Sequence, residues 1–241
     1  MSPKSKVRGR NPRLPFVFVN MVMTADGKIT TANRLPPTFG SARDHEHMLE
    51  LRATADAVVS GARTVDSTAV NLEPGSARFR RLRLKNGLQE YNLRVIVSGG
   101  GSIDPAAEIF RHRSSPILIL TTSRASRAKL RQLRTLADGV KVCGRHEVNF
   151  RIALRWLQRR WGVERLLCEG GGELNDALFR AGLVDELHLT ISPKIFGGRK
   201  APTIADGRGF PRLAGALPLQ IKSFKRIGIE VFVVFRRVER K

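Results

Sequence analysis

Residues 165–198 of this 241-residue chain read RLLCEGGGELNDALFRAGLVDELHLTISPKIFGG, and their centre joins a carboxylate to three glycines. Glu169 follows the apolar run Leu166, Leu167, Cys168 and precedes Gly170, Gly171 and Gly172. A glycine turn between a strand and a helix N-terminus is a device for holding anions. The backbone can approach closely, exposed N–H groups point outward, and the helix dipole favours negative charge. A carboxylate beside such a phosphate cradle would grip a polar substrate next to a nucleotide. The plainer alternative is an ordinary strand-to-helix turn, and a bare triple glycine does not separate the two.

Three further sites fall at predicted strand ends, where open α/β sheets bind ligands. Asn20 and Thr24 alternate with apolar residues and lead into Asp26, Gly27 and Lys28, a turn whose lysine could meet a phosphate. Gly61-Ala62-Arg63-Thr64 sets a hydroxyl after a strand, and Val97-Ser98-Gly99-Gly100-Gly101 is another strand-to-glycine junction. Neither glycine run has the G-x-G-x-x-G spacing with an acid about twenty residues on, which argues against a Rossmann dehydrogenase. His45 and His47 lie two apart on a predicted helix and point in different directions, so they do not suggest a metal site. His188 reads as a packed strand residue, no Ser/His/Asp elbow is present, and neither Cys143 nor Cys168 has a local activating partner. Glycines, hydroxyls and a few charges without a nucleophile suit hydride transfer, in which a cofactor carries the chemistry.

The elements that must position these residues alternate along the chain. Residues 15–24 (PFVFVNMVMT) form a buried strand, and Ser41 caps a helix over 42–53. Short strands are predicted at 56–60, 94–98, 116–122 and 140–143. Ser123 is expected to cap a basic helix running to about Ala137. A second helix over 149–161 turns Ile152, Leu154, Trp156 and Leu157 to the core. Residues 66–92 are Arg-rich and without clear period. The chain closes with an antiparallel hairpin, 219–227 and 230–237, joined near Gly228. The expected architecture is an α/β, mostly parallel mixed sheet with helices on both faces and a C-terminal antiparallel hairpin. Residues 15–241 form a single domain in this reading, preceded by a basic, disordered tail over 1–14.

Composition bounds the rest. The chain is long enough to bury a sizeable core, and 41% of it is hydrophobic. No apolar run approaches the ~20 residues of a membrane span. The basic N-terminus lacks a secretory apolar segment, and two cysteines in strand-like runs suggest free buried thiols, which together point to the cytoplasm. The net charge of +22 would draw any polyanion, yet the cations are scattered, Arg outnumbers Lys, and only 6% of residues are aromatic. With few stacking platforms and no nucleic-acid-binding signature, the charge fits solvated basic faces and phosphate ligands better than nucleic acid.

Five motifs taken together resemble the riboflavin-pathway pyrimidine reductases. They are N-x-x-x-T-x-D-G-K (20–28), L-R-A-x-x-D-A-V-V-x-G-x-x-T-V (51–65), C-E-G-G-G-x-L-N (168–175), G-L-V-D-E-L (182–187) and S-P-K-I-F-G-G (192–198). The likeness runs over about 15–237. No zinc-deaminase signature is present, so the chain resembles the stand-alone form of the reductase. The resemblance implies a dihydrofolate reductase-like fold, a homodimer, and NADPH-dependent reduction of a ribosylaminopyrimidine 5′-phosphate to its ribitylamino product, with hydride delivered to the sugar C1′. By position, Thr64, Thr68, Val97, Ser98, Gly99, Cys143, Gly144, Gly170, Gly171, Gly172 and Glu173 would line NADPH. Asn20, Lys28, Arg52, Leu72 and Glu169 would face the substrate.

The chain departs from that family after the G-x-x-T-V motif. Where the family has x-x-D-D-P-x-L, this sequence has Asp66-Ser67-Thr68-Ala69-Val70-Asn71-Leu72. Thr68 takes the place of the acid implied as proton donor, and Gly75 stands where an Arg is expected. A threonine cannot act as a carboxylic acid. The proton then comes from a neighbour such as Asp66 or from water, or the substrate is a different pterin or pyrimidine. A basic nucleotide-binding protein without catalysis is the alternative of another class.

Overall fold

A computed structural model describes residues 14–34, 39–67 and 70–238. The predicted tail over 1–14, except for Leu14, and the candidate Thr68 lie outside the described residues. In chain order the elements are β1 (Phe16–Thr24), α1 (Ala42–Arg52), β2 (Ala57–Gly61), α2 (Ala62–Ser67), α3 (Ala77–Lys85), β3 (Leu93–Val97), β4 (Ile117–Thr121), α4 (Arg127–Leu136), β5 (Gly139–Val142), α5 (Phe150–Trp161), β6 (Arg165–Cys168), α6 (Gly172–Arg180), β7 (Glu186–Ser192), β8 (Leu219–Ile227) and β9 (Glu230–Arg237).

The nine strands join one sheet in the order β5-β4-β3-β2-β6-β1-β7-β9-β8. The first seven run parallel, and β9 and β8 are antiparallel. Parallel strands are covered on both faces, which is why Val17–Val19 and Ile117–Leu120 are apolar without interruption. Successive side chains point to opposite faces. Val17, Val19, Leu118 and Leu120 pack with Leu154 and Leu157 of α5 and Leu174 and Leu178 of α6. Phe18, Ile117 and Ile119 pack on the other face with Leu51 of α1, Val65 of α2 and Leu133 of α4. The mostly parallel sheet, the two helical layers and the C-terminal hairpin agree with the sequence reading.

Three local expectations are corrected. The cap of α4 is Ser126, whose hydroxyl accepts from the Lys129 amide. Ser123 is held elsewhere, its amide and hydroxyl both donating to the Gly144 carbonyl. On α5, Ile152 is exposed, while Phe150, Ala153, Leu154 and Leu157 make the buried stripe. The aperiodic stretch 66–92 holds α3 and the end of α2. Its period is hidden because α3 buries an arginine: the Arg83 guanidinium bonds the carbonyls of Arg52, Ala55 and Gln89.

Candidate active site

The site forms where the chain reverses direction across the sheet. The connection leaving β1 runs through α1 on one face toward β2. The connection leaving β6 runs through α6 on the other face toward β7. Connections that part to opposite faces open a crevice beyond the C-terminal ends of the two strands. Val19 of β1 pairs with Cys168 of β6, so the next residues, Asn20 and Glu169, flank that crevice.

The glycine turn is fixed to β2. The Gly170 carbonyl accepts from the Gly61 amide at 2.9 Å and the Ser60 hydroxyl at 3.0 Å, and the Glu169 amide donates to Val59. The peptide between Gly170 and Gly171 is cis. Gly170 has φ +77°, and a Cβ there would press on Met21 Sδ at 2.8 Å, so only glycine fits. Gly171 differs. A Cβ there would meet only Thr64 Oγ1, at 3.6 Å, so its backbone faces open space beside that hydroxyl. Gly171 also begins α6 without a side-chain cap, and the Gly172 carbonyl accepts from the Asp206 amide at 3.0 Å. Close backbone access, a hydroxyl and a helix N-terminus thus meet at one turn.

Glu169 is gripped by Arg52 from the end of α1. Nε donates to Oε1 and Nη2 to Oε2, both at 2.6 Å, and Nη1 donates to the Glu73 carbonyl at 2.5 Å. The side chains are 8% and 10% exposed. The sequence placed both residues toward substrate as separate contacts. The structure joins them as a bidentate pair, with Arg52 occupied and Glu169 presenting its remaining lone pairs. Across the crevice, Asn20 Oδ1 is buried without a hydrogen-bond partner, an unmet acceptor that fits a donor on a bound ligand.

The remaining candidates divide. Lys28 Nζ donates to Ala201 O, and its backbone bridges to Thr203, whose carbonyl lies 2.6 Å from where a Gly172 Cβ would sit. Lys28 is thereby brought beside the α6 N-terminus. Glu173, in the first turn of α6, pairs with Arg63. Thr24 is wholly buried and builds the turn, accepting from the Lys28 amide and donating to Asp26 at 2.5 Å. Leu72 is fully buried in the core, so its side chain does not line the crevice. Asp66 sits two positions after Thr64 on α2 and so faces away from it. Its carboxylate accepts from the Asp104 amide; partial desolvation raises its pKa, opposed by that hydrogen bond.

The remaining candidates lie along the ends of β3, β4 and β5. Ser98 donates its hydroxyl to Ser102, whereas Gly99 and Gly100 are open, with no atom within 4 Å of where a Cβ would sit. Cys143 is buried and desolvation pushes its thiol up to about 11, while its amide donates to Thr121 and its carbonyl accepts from Asn149. Cys168 is likewise free and buried, pushed up to about 12. Gly144, at φ +123°, could carry no Cβ without striking the Glu147 carbonyl.

Sequence reasoning missed Asp26 as an anchor. Its carboxylate accepts from the Thr24 hydroxyl and from the Phe196 and Gly197 amides, pinning S-P-K-I-F-G-G beside β1. The Thr24 hydrogen bond is the largest cause holding its pKa below the usual carboxylate value. A D-G turn followed 170 residues later by an N–H-rich glycine loop carries no local signal of this contact.

The sheet, the two-faced helical cover and the crevice at the direction reversal define an α/β protein with a ligand crevice at its switch point. The chain belongs to the family described as the RibD C-terminal domain, whose model matches residues 15–233. It is 34% identical over 226 residues to the 2,5-diamino-6-ribosylamino-4(3H)-pyrimidinone 5′-phosphate reductase of Archaeoglobus fulgidus, covering 94% of this chain and 99% of that protein. The protein of the same description from Methanothermobacter thermautotrophicus is 32% identical over 221 residues, covering 92% and 97%. Among solved structures, a pyrimidine reductase-like protein from Corynebacterium diphtheriae superposes with a TM-score of 0.76 at 21% identity, covering 94% and 93%. That likeness shows the fold.

Proposed function

We propose that this chain is an NADPH-dependent reductase of riboflavin biosynthesis that converts a ribosylaminopyrimidine 5′-phosphate to its ribitylamino product. The diamino pyrimidinone named for the two archaeal relatives is the substrate form we assign. The observation that carries the reading is Glu169, locked by Arg52 at the glycine turn, one strand from the unmet acceptor of Asn20. Glu169 and Asn20 both accept hydrogen bonds, which matches an aminopyrimidine edge rich in N–H donors.

Gly171, the first-turn amides of α6 and Thr64 would hold the nicotinamide half of the cofactor, and Gly99, Gly100 and the Cys143–Gly144 backbone the adenosine half. Bound NADPH supplies the hydride for C1′ of the ring-opened sugar. Lys28 retains two free donor positions beyond its bond to Ala201 and serves a phosphate or polar edge near the α6 N-terminus. With Asp66 turned toward Asp104, the structure supports water rather than Asp66 as the proton source.

A single domain over 15–241 is supported by the one continuous sheet, and a cytoplasmic setting by two free buried thiols. No helix among the described residues is long and apolar enough to cross a membrane. A homodimer is supported by β8, which pairs only with β9 among the described strands and is exposed along its whole length. Ile221 and Phe224 pair with Phe235 and Val233, two apart on β9, so the bulge at Ile221/Ser223 keeps both on one face. They are 64% and 62% exposed, and an isologous contact with a second copy would cover them.

The test mixes purified protein with NADPH and the diamino ribosylaminopyrimidinone phosphate and follows absorbance at the nicotinamide band. Oxidation dependent on both components is expected. NADPH binding without oxidation would overturn the substrate assignment, and absence of NADPH binding would overturn the reductase reading.

A further inference from the structure

The segment between β7 and β8 forms no strand and only one short 3₁₀ turn, Leu213–Gly215, so its place is set by what it is tied to. Its middle is tied to both borders of the crevice. On the β1 side, the Ile29 amide donates to the Pro202 carbonyl at 2.9 Å, and Lys28 bridges to Thr203. On the α6 side, Asn175 Nδ2 donates to the Ile204 carbonyl at 2.8 Å, and the Asp206 amide to the Gly172 carbonyl at 3.0 Å. The Asp206 carboxylate accepts in turn from the Thr203 amide and hydroxyl, both at 2.7 Å. Asp176, in the second turn of α6, holds the far end. It is 3% exposed, and its carboxylate accepts from the Arg208 and Gly209 amides, both at 3.1 Å, and from Arg180 Nε at 2.8 Å. A Cβ on Gly207 would collide with Asp176 Oδ2, so the loop reaches the carboxylate only because that residue is glycine.

A buried carboxylate is unfavourable unless donors meet it, and two of the three donors here are loop backbone amides. The loop therefore takes its position from α6, the helix whose N-terminus lies at the glycine turn. We infer that Asp176 is a positioning residue for the substrate side of the crevice. By holding Arg208 and Gly209 it fixes Asp206 and Thr203, and through the Thr203 bridge and the Ala201 carbonyl it fixes Lys28. Misplacing a binding group by about 1 Å is enough to lose much of its contact, so a carboxylate that touches no ligand can still set affinity. The role of Lys28 toward substrate rests on the reductase reading; the hold of Asp176 on the loop does not.

The experiment compares Asp176→Asn, Gly207→Ala and Arg180→Gln with wild type as full chains. Asp176→Asn keeps the shape but turns an N–H toward a loop amide, and Gly207→Ala keeps the carboxylate but pushes the loop off it. In both, KM for the diamino ribosylaminopyrimidinone phosphate should rise about tenfold, with kcat and NADPH affinity within about twofold. Amide exchange at Ile29 and Asp206, neither of them bonded to Asp176, should quicken at least about tenfold. Arg180→Gln removes the third donor and no loop contact, so it should lower the thermal midpoint and leave KM and exchange at those two amides unchanged. A purely structural role would make all three variants alike, with no change in KM, and would overturn the assignment. Faster exchange with unchanged KM would overturn the role toward substrate, and unchanged exchange would overturn the hold on the loop. If wild type turns no pyrimidine over, the reductase reading fails and the role toward substrate falls with it, while the exchange rates still decide whether Asp176 holds the loop.

Discussion

Arg52 and Glu169, 117 residues apart, meet head to head with two parallel hydrogen bonds of 2.6 Å. Both side chains are almost sealed from solvent, so removing one charge strands the other. Arg52→Met should destabilise the fold by about 3–5 kcal/mol, the usual cost of breaking a buried pair from one side. The double variant Arg52→Met/Glu169→Leu should regain most of that stability and no turnover. Urea midpoints and NADPH oxidation rates decide it; a double variant with restored activity would remove Glu169 from substrate binding.

Gly171→Val fills space that only Thr64 Oγ1 borders, so the added side chain enters the cradle and not the core. NADPH binding should fall by at least about 100-fold, with the thermal midpoint moving by only a few degrees, roughly a 1 kcal/mol effect. Fluorescence titration and a melt on the same sample check both parts. Unchanged cofactor affinity would remove the cradle.

Asn20→Leu replaces the unmet acceptor with a side chain of similar size. KM for the pyrimidine substrate should rise about 10- to 100-fold, the effect of one buried hydrogen bond to a ligand, with NADPH affinity unchanged. Steady-state kinetics at saturating NADPH separate the two. A matching loss in cofactor affinity would place Asn20 with the cofactor.

Glu186 controls acid stability at the other end of the sheet. Burial acts to raise its pKa, but hydrogen bonds with His188, Lys222 and Arg236 outweigh it and bring the value down to about 2 from the ordinary 4.5. A carboxylate depressed on folding contributes stability that is complete above the unfolded value and lost as pH falls through the folded one. On the order of 3 kcal/mol should therefore disappear between pH 4.5 and about 2. Glu186→Gln should flatten that limb of the denaturation profile. An identical pH dependence in the variant would assign acid unfolding to other carboxylates.

Phe224→Asp places a charge on the exposed face that Ile221 and Phe224 share, leaving the hairpin register intact. Sedimentation should show wild type as a dimer and the variant as a monomer. A dimeric variant would move the interface away from β8.

The parallel strands were legible because burial on both faces leaves continuous apolar runs, and the glycine turn because its residue types are rare elsewhere. What stayed hidden depends on contacts between distant segments. Arg52 and Glu169 read as separate substrate contacts, because nothing local signals a pairing across 117 residues. Arg83 reads as solvated, yet it is fully buried against backbone carbonyls, and this is what blurred α3. Ser123 looks like a helix cap, but the Gly144 carbonyl occupies its hydroxyl, so the cap falls to Ser126. Leu72 matched a family position by its place in the motif, and its burial in the core could not be read from spacing.

The position of β1 has a consequence for how the molecule is made. It is the first strand synthesised, but its neighbours are β6 and β7, whose residues begin at 165 and 186. β3, β4 and β5 can each pair with the preceding strand as they emerge, whereas β1 must wait for two-thirds of the chain. Its edges, with Phe16–Met23 almost wholly apolar, stay open meanwhile, and long-range parallel pairing of this kind is slow and prone to aggregation. The crevice between β1 and β6 is then among the last features to close, so a growing chain can carry a folded β2–β5 half long before it has a binding site.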